Sequence, residues 1–90
     1  MNFEWDESKR ESNLSKHGLD FSDAHQAFDL PMYIVPDDRE DYDETRYQGI
    51  GLMNGNFVTL VFAEPDEMTI RIISLRRATA QERKIYAREI

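Results

Sequence analysis

Ninety residues with 40% apolar and 32% charged side chains make one domain with a small core, because a chain this short buries only roughly 60% of the surface it exposes when unfolded. The absence of cysteine excludes a disulfide framework, a thiolate metal centre and a cysteine nucleophile, and a net charge of -7 sets the chain as a whole against a polyanionic partner. No apolar run approaches membrane-spanning length, and Met1 to Asp6 lacks the basic and apolar segments of a signal peptide, so the expectation is a single domain over residues 1–90 in the cytoplasm.

Asn2 to Trp5 reads as a short strand, and Asp6 as the N-cap of a helix that ends near His17 with Gly18 at the left-handed C-terminal position. Apart from Leu14 this helix carries Lys9, Arg10, Asn13, Lys16 and His17, so its anchors are expected at its flanks, in Trp5, Leu19 and Phe21. Ser22 caps a second, shorter helix on which Phe21, Ala24 and Phe28 recur at helical spacing, with His25 on the same stripe as a hydrogen-bonded packing residue. That helix stops before Pro31, and Pro31 to Val35 adds an edge strand. Pro36 opens an acidic stretch with the composition of a mobile, solvated loop.

From Thr45 the pattern turns to β. Thr45–Met53, Phe57–Ala63 and Met68–Leu75 are rich in Val, Ile, Phe and Thr. Asn54-Gly55 is a hairpin turn, and Glu64-Pro65-Asp66-Glu67 makes the next one, so these three strands form an antiparallel meander. The T-x-x-E signature of Thr79 and Glu82 then opens a last helix through Glu89. The fold class is α+β: a meander with two N-terminal helices and one C-terminal helix. Pairing Met53 with Asn56 and Ala63 with Met68 gives a register that sets Gly49, Leu60 and Arg71 side by side, with Arg71 over a glycine-lined notch. Both sheet faces then come out apolar, the helices are expected to cover one, and a partner protein is the natural lid for the other.

Charge is bipolar along the chain. Asp37 to Glu44 holds six acids against Arg39 alone, whereas Arg71 to Arg88 holds Arg71, Arg76, Arg77, Arg83, Lys84 and Arg88 against Glu82 alone. Guanidinium groups bind phosphate bidentately and stay charged at every physiological pH, so this arginine cluster is the leading candidate for phosphate chemistry. Its alternative is a solvated basic helix end. Arg71, between Ile70 and Ile72, is costly on an apolar sheet without a task or a buried partner.

Lys16-His17-Gly18 puts a cation and a titratable imidazole at a helix C-terminus, where the macrodipole attracts positive charge; His17 is either an acid-base or phosphate-binding group, or simply a good C-terminal helix residue. Glu44 is the one carboxylate of the acidic stretch near enough to the sheet to be positioned, as a base or, more simply, as an arginine's partner; Arg46 borders it. Glu82 is explained by the capping box, and Tyr86 either stacks on a base or packs its helix on the sheet. The acids lack the spacing and glycine of a calcium loop, and no Gly-rich phosphate loop, G-x-S-x-G or H-E-x-x-H is present, so no metal or cofactor is assigned.

Phe3-x-Trp5-Asp6 with Lys9, Asn13, Lys16-His17-Gly18 and Phe21 resembles the opening of the BrnT toxin family. Glu44-x-Arg46-Tyr47, Ile50-Gly51, Arg71-Ile72-Ile73-Ser74-Leu75-Arg76-Arg77-Ala78-Thr79, Glu82-Arg83 and Tyr86 are similar to its remaining motifs. The resemblance spans essentially the whole chain; the acidity of Asp37 to Glu44 is the departure. It implies a RelE-like type II toxin that acts as a ribonuclease and is encoded beside a BrnA antitoxin with its own DNA-binding domain. No DNA-reading motif occurs in this chain, so operator DNA would be reached only through that antitoxin. The implied reaction needs no metal: the RNA 2′-hydroxyl attacks the adjacent phosphate, Arg71, Arg76 and Arg77 stabilise the transition state, and His17 or Glu44 moves protons. Lys16, Arg46, Arg83 and Tyr86 would contact the RNA. Two other classes remain beside the ribonuclease: a non-catalytic interaction module, and a co-repressor acting only through a DNA-binding partner.

Overall fold

Local signals set the element ends. Asp6, in extended backbone, accepts from the Lys9 N–H at 3.1 Å and starts helix α1, Glu7–His17. Gly18 stops it at φ 70°, its N–H returning to the Leu14 carbonyl at 2.8 Å. The Thr79 hydroxyl accepts from the Glu82 N–H at 3.1 Å while Glu82 accepts from the Thr79 N–H at 2.8 Å, a capping box opening α2, Ala80–Glu89. Asn54 and Gly55, at φ 52° and 76°, close a two-residue hairpin turn with the right-handed twist of its strands.

The computed structural model describes residues 1–39 and 43–90. Strands β1 (Asn2–Trp5), β2 (Tyr33–Pro36), β3 (Arg46–Met53), β4 (Asn56–Asp66) and β5 (Thr69–Arg77) form one sheet in the order β1-β5-β4-β3-β2. The meander β3-β4-β5 and its edge strand β2 are antiparallel as expected, but β1 pairs with β5 in parallel, so the sheet is mixed. No helix is long and apolar enough to cross a membrane among the described residues.

The second helix is a 3-10 helix, Phe21–Phe28, and its cap is Asp20 in place of the expected Ser22. Its buried residues explain the geometry. Phe21, Ala24 and Ala27 recur every third residue, which suits three residues per turn. They pack with Leu19 on the sheet face that carries Val58, Leu60, Phe62, Ile70, Ile72 and Leu75, and Phe3, Phe28, Phe62 and Tyr47 extend this core with ring centroids 5.1 to 5.4 Å apart. The glycine notch belongs to the same face. A Cβ at Gly49 would stand 2.5 Å from Met32 Sδ, and one at Gly51 would press on Met32 and Ala27, so Met32 fills the space the sequence reading gave to Arg71.

The predicted β4-β5 register is therefore wrong, and two bulges are the reason. Asp66 pairs with Thr69 across a two-residue turn, β4 carries an extra residue between Ala63 and Asp66, and Ile73 is the extra residue of β5 between Ile72 and Ser74. Ala63, not Leu60, stands opposite Arg71. A second correction concerns the helices. They do not share one face, because α2 crosses to the other, where Tyr86 packs on Phe57 with ring centroids 5.4 Å apart.

Helix α1 is anchored by polar contacts. Leu14 is 38% exposed, while Asn13 is buried and Arg10 forks onto Asp20 at 2.8 and 3.0 Å. That pair holds the Asp20 carboxyl well below the usual carboxylate range, chiefly through the guanidinium. His25 is exposed, with Nδ1 3.0 Å from the Ser22 carbonyl and its ring against Phe3.

Candidate active site along the last strand

Strand pairing arranges the face opposite the core in cross-strand rows, whose members project together. One row is Glu4, Arg71, Ala63 and Arg46; the next is Ser74, Val61, Gln48 and Val35; the third is Arg76, Thr59, Ile50 and Tyr33. Helix α2 meets the third row, where Arg76 Nη1 and Nη2 donate to the two oxygens of Glu82 at 2.7 and 2.9 Å.

In the first row Arg71 Nε donates to Glu4 at 2.7 Å and Nη1 to Glu44 at 2.6 Å. Arg46 Nε lies 3.7 Å from the other Glu44 oxygen. Glu44 thus sits between two guanidiniums and is the arginine partner that the sequence allowed it to be. Glu4 and then Glu44 push the Arg71 pKa further up. The acidic stretch is pinned beside this row. Asp37 is buried, accepts from Arg39 at 2.6 and 2.9 Å, and donates its backbone N–H to the Arg46 carbonyl. The Arg39 guanidinium holds the Asp37 carboxyl below its ordinary value. Asp37 and Glu44 are held in this way, whereas Asp38, Arg39 and Asp43 are exposed, as composition suggested; residues 40–42, the middle of that stretch, lie outside the described residues.

Arg76 departs from expectation. The sequence leaves Arg76 and Arg77 as part of either a phosphate-binding cluster or a solvated basic helix end, yet Arg76 is committed to Glu82, whose pKa falls to about 2 mainly through that guanidinium. Arg77 pairs with Val58, a core-face residue, and is exposed, so the two arginines leave opposite faces of β5. Arg83 is exposed on α2, and Tyr86 donates its hydroxyl to the Pro31 carbonyl at 2.8 Å.

Strand β1 ends opposite Ile72, which leaves the outer edge of β5 without a strand beyond that point. The Asn13 carboxamide takes the place of one. Its oxygen accepts from the Leu75 N–H at 3.1 Å, and its nitrogen donates to the Leu75 and Leu19 carbonyls at 2.8 and 3.2 Å. A cleft of about 230 Å³ opens between α1 and this edge, lined by Lys9, Ser12, Asn13, Lys16, His17, Ile73 and Ser74. Lys16 and His17 therefore flank β5 at its edge, apart from the Arg71-Glu44-Arg46 row. Sequence reasoning gave Asn13 no structural task; the signal was a helix with almost no apolar face, which must be held by polar contacts. Among the described residues no group of three or more His, Asp or Glu side chains converges as metal ligands do.

The family model described as "Ribonuclease toxin, BrnT, of type II toxin-antitoxin system" matches residues 5–82. Among solved structures the chain is similar to the Brucella abortus ribonuclease toxin BrnT, at 35% sequence identity over 88% of this chain and 97% of that one, with a TM-score of 0.73. A comparison with curated proteins gives no match.

Proposed function

The chain belongs to the BrnT family of ribonuclease toxins of type II toxin-antitoxin systems, and from that premise we propose that it cleaves single-stranded RNA without a metal, by attack of a 2′-hydroxyl on the adjacent phosphate. The new bond joins the 2′-oxygen to phosphorus, the bond to the 5′-oxygen breaks, and the products are a 2′,3′-cyclic phosphate and a free 5′-hydroxyl. One proton leaves the 2′-hydroxyl and one reaches the departing oxygen. The observation that carries this reading is the row in which a carboxylate, Glu44, stands between the guanidiniums of Arg71 and Arg46. Paired guanidiniums are suited to the charge that accumulates on a pentacovalent phosphorus, and a carboxylate beside them is within reach of the proton to be removed.

In this mechanism Arg71 and Arg76 release a carboxylate each to take the phosphate, with Arg77 adding charge from the far side of β5. Glu44 or His17 serves as the base and the other group, or water, as the acid. Lys16, Arg46 and Arg83 hold the strand, and Tyr86 serves chiefly to seat α2. Positioning supplies much of the rate, so an incomplete acid-base set suffices.

The family implies an antitoxin partner; we assign it as BrnA-like, with operator DNA reached only through it, and inhibition of translation as the consequence of free toxin. Exposed apolar side chains support a protein partner: Ile34 (46% exposed) and Met1 (71%) line a cleft of about 260 Å³ with Phe28, Tyr47 and Phe62. The test is the purified chain with single-stranded RNA in EDTA. Cleavage with cyclic phosphate ends is expected, and loss of cleavage in chelator with recovery on adding a divalent metal would overturn the metal-free reaction. In cells, induction of the chain alone should arrest growth and the neighbouring gene should relieve it.

A further inference from the structure

We infer that the cleft between α1 and the free edge of β5 is a phosphate-binding subsite, in which Lys9, Lys16, Ser12 and Ser74 hold a backbone phosphodiester of single-stranded RNA next to the one that is cleaved. This rests on the RNA-directed reading above and adds to it a place for the neighbouring nucleotide.

Arg10, Arg39, Arg46, Arg71, Arg76 and Arg88 all make ion pairs. Lys9 and Lys16, two helical turns apart on α1, make none with the described residues, and they face the same cleft. No carboxylate lines it. Glu7, two residues before Lys9, is engaged by Arg10 and by the Trp5 indole N–H, and Glu11, two residues after it, is exposed and does not line the cleft. Two exposed ammonium groups at one cleft, with flexible stems and no carboxylate partner among the described residues, can close on an anion from both sides.

Ser12 from the helix and Ser74 from the strand add hydroxyls that make no hydrogen bond to a described residue. Hydroxyls and ammonium groups together match the singly charged, acceptor-only oxygens of a phosphodiester, and contacts of this kind position a strand without reading its bases. The bulge at Ile73 sets this up, because the extra residue returns Ser74 to the Val61 row while Ile73 itself lines the cleft.

Asn13 ties α1 to Leu75 through two hydrogen bonds and to Leu19 through a third, so the two walls keep a fixed separation. Ser74 occupies the row between those of Arg71 and Arg76, and successive rows on one face lie about 7 Å apart. An RNA strand that crosses β5 toward its outer edge therefore passes from the arginines on the sheet to the cleft, which takes the next phosphate.

The experiment measures equilibrium binding of a fluorescent 2′-O-methyl oligonucleotide, which cannot be cleaved, in EDTA at several salt concentrations. Lys9→Ala and Ser74→Ala should each weaken binding, by about tenfold for the lysine, and Lys9→Ala with Lys16→Ala should reduce the slope of log affinity on log salt by about 0.7, the value for one phosphate contact on a single strand. Lys9→Arg should restore affinity. Thermal midpoints of all variants should stay close to the parent, since Lys9 and Lys16 are exposed and the hydroxyl of the half-buried Ser74 bonds to no described residue. Wild-type affinity and an unchanged salt slope in the double variant would overturn the subsite, as would failure of the parent chain to bind the oligonucleotide. A chain that binds with these dependences yet leaves ordinary RNA intact would refute the cleavage reaction and keep the subsite.

Discussion

Asn13→Ala is the substitution with the most calculable outcome. It removes the acceptor of the Leu75 N–H and the donor to the Leu75 and Leu19 carbonyls, and Leu75 is fully buried. Each buried polar group left without a partner costs about 1–3 kcal/mol, and water entering the widened cleft recovers part of that, so a net loss of about 3 kcal/mol is expected. For a domain of this size that lowers the thermal midpoint by roughly 12–24 °C. Asn13→Asp separates hydrogen bonding from shape. It keeps the acceptor for Leu75 N–H but turns an oxygen toward two carbonyls and buries a carboxylate, so at pH 7 it should be at least as damaging as the alanine. Protonation of the carboxyl restores a donor, and the deficit relative to the parent at the same pH should shrink toward pH 4. Thermal and urea denaturation followed by circular dichroism measure both effects. A loss under about 1 kcal/mol for Asn13→Ala, or an Asn13→Asp deficit independent of pH, would refute the idea that this carboxamide substitutes for a strand at the edge of β5.

Arg76→Ala should cost about 1 kcal/mol in a denaturation experiment, because it removes a bidentate partner of the half-buried Glu82, whereas Arg77→Ala should cost less than about 0.5 kcal/mol. Each should lower RNA cleavage by roughly 10² to 10³-fold; a folded double variant cleaving at the parent rate would confine the chemistry to Arg71, Glu44 and His17. Acid should destabilise the protein through Glu82. Its pKa is lowered from 4.5 to about 2 in the folded chain, so its contribution is complete above about pH 4.5 and is lost as the pH falls toward 2. Thermal midpoints taken through this window should fall less steeply for Glu82→Gln than for the parent; parallel curves would show that the pair contributes nothing.

What could be read from the sequence was local. Asp6, Gly18, Asn54-Gly55 and the Thr79-Glu82 box act through backbone within four residues, and each stands where its chemistry places it. The β3-β4 register followed from the turn and placed Gly49 opposite Leu60. The β4-β5 register failed because turn length alone does not reveal bulges, although two signs were present: the adjacent apolar Ile72 and Ile73 break the alternation, and Pro65 cannot donate to a ladder. The site divided in the same way. That β5 carries the arginines was visible, but their partners were not, since Glu4 meets Arg71 from 67 residues away and Asn13 meets Leu75 from 62. The partner of Arg76 is hidden in the sequence because the capping box alone accounts for Glu82, and a carboxylate with two oxygens serves both.

The parallel pairing of β1 with β5 ties the timing of assembly to the length of chain already made. The contact that holds Arg71 to Glu4 and those that tie α1 to the sheet through Leu75 wait for residues 69–77 to be synthesised, long after their partners in β1 and α1. Contacts of such long sequence separation form late, because loop closure must precede them. An interrupted or prematurely released chain that stops within β4 has α1 without its clamp and Glu4 without its guanidinium, and presents an unpaired strand edge that invites proteolysis. The pairing of α1 and β1 with the last strand thus makes the arginine row and the neighbouring cleft depend on one late step, the seating of β5.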